Sequence, residues 1–111
     1  MAEQDDVALI RLCGSDEVAP GSAREIEVPG LAPLAVFRLE DGTVYVTDGI
    51  CTHAYASLAE GFVDGDEIEC PLHAGRFCIR DGRATEEPCE EPLKTYQPVE
   101  QDGAIFIRNP R

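Results

Sequence analysis

Short runs of Val, Ile, Leu and aromatic residues, partly alternating with polar ones, recur along the chain. They include VALIRL (7–12), REIEV (24–28), LAVFRLE (34–40), TVYVTD (43–48), RFCIR (76–80), RAT (83–85), YQPVEQ (96–101) and AIFIR (104–108). Runs of this length and period predict β-strands. Asp-Gly pairs separate several of them, at 41–42, 81–82 and 102–103, and Asp41-Gly42 reads as the two-residue loop of a type I′ hairpin. A further Asp-Gly at 64–65 precedes a short strand at DEIE (66–69). Pro98 interrupts its strand or confines it to an edge, because proline cannot donate to a ladder. No segment holds a helical period over a dozen residues, and SLAEG (57–61) amounts to a turn. The expected fold is all-β, a small antiparallel barrel or sandwich occupying residues 1–111 as a single domain.

Charge narrows the partners. Nine Lys and Arg stand against 22 Asp and Glu, a net charge of −13, which disfavours phosphate backbones and anionic lipid alike. Acidity of this size keeps a protein soluble and can also steer it toward a basic surface. The N-terminus, MAEQDD, lacks the basic and then apolar pattern of a secretory signal, so the expectation is a cytoplasmic protein with no nucleic-acid or membrane partner. Five cysteines cannot all pair within the chain, and in a reducing compartment metal binding is favoured over bridging.

The chemistry concentrates in one stretch. Both histidines of the chain fall there with two cysteines: Cys51-x-His53, sixteen residues (54–69), then Cys70-x-x-His73. These positions fall on two inter-strand loops, at about 49–61 and 70–77. A nucleophilic Cys–His pair needs one of each and an orienting group, whereas two near-identical pairs point to ligation. A single Zn²⁺ or a [2Fe–2S] cluster could use such a set. Zinc sites commonly join a Cys pair to a His pair, while here each loop carries one Cys and one His. That arrangement suits a two-iron cluster straddled by both loops. For Cys13, Cys78 and Cys89 the reading is a small buried apolar residue or a bystander thiol.

CTH followed by CPLH at this interval resembles the Rieske iron–sulfur motif. From about Val7 to Arg108 the chain is similar to the small ferredoxins of bacterial aromatic-ring dioxygenase systems, through DGICTHAYASLAEG, GDEIECPLHAGRF and PLKTY. RFCIRDG and PCE (88–90) resemble the biphenyl and toluene type more than others. The resemblance implies one Rieske [2Fe–2S] cluster in a two-loop subdomain at one end of the fold. Cys51 and Cys70 would be thiolate ligands of the inner iron, and His53 and His73 imidazole ligands of the outer one. Residues 86–93 resemble the proline-containing loop that covers the cluster, and Tyr55 and Leu72, next to ligands, would either form an apolar rim where a partner docks or shield the cluster. High-potential Rieske proteins carry a disulfide between extra cysteines in the two loops. Ala56 and Leu72 occupy those positions here, and Ala74-Gly75 replace hydroxyl donors, so a potential near the lower end of the Rieske range, about −150 mV, is expected.

The functional expectation is a one-electron carrier, a monomer that presents the same tip to two partners, standing between an NAD(P)H-dependent flavin reductase and a terminal Rieske oxygenase. It is not expected to be an enzyme: with both histidines committed to the cluster, none remains for a mononuclear iron site, and there is no G-x-G-x-x-G for a dinucleotide. The alternatives are a zinc-stabilised interaction module and a Rieske-fold subunit of another redox complex.

Overall fold

A computed structural model describes residues 8–52, 56–72, 75–87 and 89–108. The expectations placed on His53, Tyr55, His73 and Ala74 therefore lie outside the described residues. Among the described residues eleven strands form three antiparallel sheets. The first comprises β1 (Leu9–Gly14), β11 (Ala104–Arg108) and β10 (Pro98–Gln101), in that order. The second runs β2 (Ser22–Ile26), β3 (Leu34–Arg38), β4 (Val44–Asp48) and β9 (Thr95–Tyr96). The third runs β5 (Phe62–Asp64), β6 (Glu67–Glu69), β7 (Arg76–Cys78) and β8 (Ala84–Glu86). The sheets are open and stack as a sandwich, with no closed barrel. Among the described residues no helix is long and apolar enough to cross a membrane; Leu58–Glu60 is one turn of 3₁₀ helix.

β3 explains the layering. Its residues Leu34, Ala35, Val36 and Phe37 are all fully buried, so this strand has no solvent face. Ala35 and Phe37, with Leu39 beyond the strand, pack with Leu58, Ile68, Phe77 and Ile79. Leu34 and Val36 point the other way, toward Leu12, Val18, Val44, Val46, Ile105 and Ile107. Period-two alternation along one strand thus feeds two cores, one on each side of the middle sheet. The core facing the third sheet also contains Cys51, Cys70 and Cys89.

The turns correct one expectation. The Asp102-Gly103 hairpin is a two-residue loop, Gln101 pairing with Ala104, and both loop residues have positive φ (54° and 77°), as type I′ requires. Asp41-Gly42 is different. Leu39 N–H bonds to Thr43 O and Gly42 N–H to Leu39 O, each at 2.9 Å, giving a three-residue loop of Glu40, Asp41 and Gly42. Only the glycine is left-handed there, at φ 91°. The Asp41 carboxylate accepts from Thr43 N–H at 2.9 Å, and this bond holds the aspartate at negative φ and leaves the left-handed position to the glycine. Asp81 repeats the device on Arg83 N–H at 3.1 Å, in a loop closed by Cys78 N–H to Arg83 O at 2.8 Å. Pro98 opens the edge strand β10, with Gln97 separating it from β9, as the sequence anticipates.

Arg38 ties the first two sheets together. Its guanidinium donates to the carbonyls of Val18 (2.8 Å), Gly42 (2.9 Å) and Ser15 (3.0 Å) and to the Glu100 carboxylate (2.8 Å). Between the second and third sheets, Arg80 donates to the Tyr45 hydroxyl at 2.8 Å and lies over its ring.

Candidate metal centre

The two loops named by the motif are built alike. Cys51 follows β4 through Gly49 and Ile50; its N–H bonds to Ala56 O at 3.0 Å, and an Ile50–Ser57 bridge closes the loop behind it. Cys70 follows β6 directly; its N–H bonds to Gly75 O at 2.7 Å, and the loop is the tip of the β6–β7 hairpin, where Glu69 pairs with Arg76. Each cysteine is the first residue of a six-residue loop and bonds to the carbonyl of the sixth. Cys51 and Cys70 therefore occupy equivalent places in two matching loops, while His53 and His73 are outside the described residues.

Both thiols are interior. Cys51 is 4% and Cys70 1% exposed. Burial pushes the Cys70 thiol above its ordinary pKa. A buried thiolate needs a positive charge beside it, and a metal centre supplies one. Among the described residues no group of three or more side chains is arranged to hold an ion. The donor chemistry and the depth fit a cluster whose inner part is held by thiolates.

A third loop, 86–93, closes over the first. Thr52 Oγ1 donates to Glu91 O at 2.8 Å, Leu93 N–H bonds to Gly82 O at 2.7 Å, and Asp48 N–H bonds to Lys94 O at 2.9 Å. Tyr96 O–H donates to the Asp48 carboxylate at 2.7 Å, just ahead of the Cys51 loop, and burial with this bond raises the Tyr96 pKa. The third loop also contains the residue that sequence reasoning undervalued. Cys89, 4% exposed, places its Sγ 3.9 Å from Cys51 Sγ, and burial pushes its pKa up to about 12. The one sequence signal for this position was its place in the loop that resembled a cluster cover. Cys13 and Cys78, in contrast, are buried strand residues, as expected of apolar fillers.

Two glycines set the spacing. A side chain at Gly75 would overlap Cys89 Sγ and crowd Cys89 N at 3.1 Å, so the second loop approaches the third through a glycine. A side chain at Gly61 would overlap the Glu69 carbonyl and stand 3.2 Å from Pro71 Cδ, so the end of the first loop approaches the base of the second in the same way. Arg76 spans this base from outside, ion-paired with Asp64 (3.0 Å), Glu67 (3.3 Å) and Glu69 (3.0 Å). Leu72, in the second loop, is 47% exposed, and Phe62, on β5, is 64% exposed.

Residues 8–97 match the family described as Rieske [2Fe–2S] domain. The chain belongs to that family. Its fold superposes on the Sphingomonas yanoikuyae B1 ferredoxin with a TM-score of 0.89 at 41% identity, covering 93% of this chain and 100% of that one. A chain in the complex of reduced oxygenase and oxidised ferredoxin in carbazole 1,9a-dioxygenase gives 0.84 at 37% identity, covering 93% of this chain and 94% of that one. Among curated relatives, the biphenyl dioxygenase ferredoxin subunit of Pseudomonas sp. strain KKS102 is 42% identical over 94 residues, 84% of each chain. Membership implies one Rieske-type cluster, and the relatives are named as ferredoxin components, not as catalytic subunits.

Proposed function

We propose that this protein is the one-electron carrier of a multicomponent aromatic-ring dioxygenase system, receiving electrons from an NAD(P)H-dependent flavin reductase and delivering them to a terminal Rieske oxygenase. The observation that carries this reading is the pair of buried cysteines at equivalent positions of two matching loops, in a chain of this family. In the proposal Cys51 and Cys70 bind as thiolates on the inner side, and His53 and His73 bind through imidazole on the outer side. When bound, the cluster supplies one-electron chemistry at a potential set by two neutral and two anionic ligands. The chain's own part is to hold the ligands in two rigid loops and keep water from the cysteine side. Cys51 N–H and Cys70 N–H are both spent within their loops, which fixes where the thiols lie. The carrier acts as one domain, because the two cores share β3, and works as a cytoplasmic monomer that offers the same end to each partner in turn.

The exposed Leu72 side chain beside the second cysteine supports docking at that end, and the net charge of −13 supports steering toward basic partner surfaces. Redox encounters are small and brief. Stopped-flow reduction of the protein by its flavin reductase should therefore slow about tenfold as salt is raised from tens to several hundred millimolar. A rate indifferent to salt would remove steering from the mechanism.

A further inference from the structure

The cluster reading leaves Cys89 without a task, yet the fold makes specific room for it. Its thiol is held between the two ligand loops by the third. On one side its Sγ meets Cys51 Sγ at 3.9 Å, within the reach of a sulfur hydrogen bond. On the other it occupies the space left by the missing side chain of Gly75. Its own backbone is anchored by N–H donation to Glu86 O at 3.1 Å, and Thr52 Oγ1 donating to Glu91 O pins the same loop to the residue after Cys51. A side chain that merely filled space here could be any small apolar residue.

We propose that Cys89 is a positioning and tuning residue, donating an S–H···S hydrogen bond to the Cys51 thiolate and thereby raising the reduction potential of the centre. This inference rests on the ligand reading above. A ligating Cys51 has no proton to give, so in the S···S contact Cys89 is the donor. Adding an electron increases the negative charge carried by the thiolate ligands, so a donor to one of them stabilises the reduced state more than the oxidised one. Ala56, Leu72 and Gly75 bring no hydroxyl or thiol donor to this region, while the third loop brings Cys89. The described hydroxyls of the first loop, Thr52 and Ser57, donate instead to Glu91 O and the Glu25 carboxylate, so the donor at Cys51 comes from the third loop.

The test compares the parent holoprotein with Cys89→Ala, Cys89→Val and Cys89→Ser. Iron, sulfide and the EPR signal are measured first, then the midpoint potential by redox titration. Loss of the donor in Ala or Val should lower the potential, and Ser, which keeps a donor, should restore it to the parent value or above. Pulsed EPR should show an exchangeable proton coupling in the parent and Ser proteins that is missing from the donor-less ones. Val covers the case in which Ala leaves too large a void to retain the cluster. Equal potentials in all four proteins, each with a full cluster, would overturn the role of Cys89 and leave the carrier reading intact. A parent protein without iron and sulfide would instead overturn the carrier reading itself.

Discussion

Cys70→Ala is expected to give a colourless protein, with its visible absorption lost and iron and sulfide near zero. Cys70 is 1% exposed at the base of the second loop, and alanine removes the one anionic donor that loop presents to the interior. Because metal binding and the order of its loops are linked, the variant should also unfold more readily than the parent. Cys13→Ala provides the control. Cys13 is equally buried but packs with Leu12, Val18 and Ile105 in the other core, so its replacement should leave the spectrum unchanged. Absorption spectra and metal analysis of the two variants decide the matter. A coloured Cys70→Ala protein would break the ligand assignment.

Gly61→Ala should be nearly as damaging, through geometry alone. Its methyl group would overlap a backbone carbonyl, that of Glu69, and the backbone has no rotamer by which to yield. Relief requires the first loop and the β6 strand to move apart, and Glu69 is the residue immediately before Cys70. The expected cost is about 3 kcal/mol, the upper part of the range for overpacking. Thermal unfolding should show a lower midpoint together with poorer cluster retention. A Gly61→Ala protein as stable and as fully loaded as the parent would show that the two loops tolerate separation.

How far the sequence reveals this site depends on what kind of signal each residue leaves. Cys51 and Cys70 stand out in the sequence because ligand chemistry requires fixed residue types at fixed intervals, and the structure places both, buried, at the base of equivalent loops. The strand runs were legible for a similar reason, although β5 was not foreseen, since Phe62 and Asp64 are exposed and leave little apolar pattern. β3 lies within the run LAVFRLE, and its burial on both faces explains why four apolar residues follow one another there. Asp41-Gly42 misled because the same dipeptide serves two turn types. What separates them is whether the aspartate side chain caps a residue two positions on, and that is a three-dimensional fact. Cys89 was hidden more deeply. Its contact with Cys51 spans 38 positions, and no spacing rule connects them. Gly61 and Gly75 are likewise explained only by what lies opposite them.

These elements share one logic. The middle sheet carries a core on each face, and the core toward the third sheet ends in three cysteines. Three loops meet there, with two glycines allowing their close approach. At the base of the second loop Arg76 gathers Asp64, Glu67 and Glu69 into a brace. A cysteine side shielded from water suits the electron carrier proposed above.

The central claim is tested most directly by EPR of the dithionite-reduced protein, with iron, sulfide and zinc determined on the same sample. The account predicts a rhombic signal with an average g below the free-electron value, and iron and sulfide in equal amounts. Zinc without sulfide, and no signal, would contradict it and make the two loops a structural metal site.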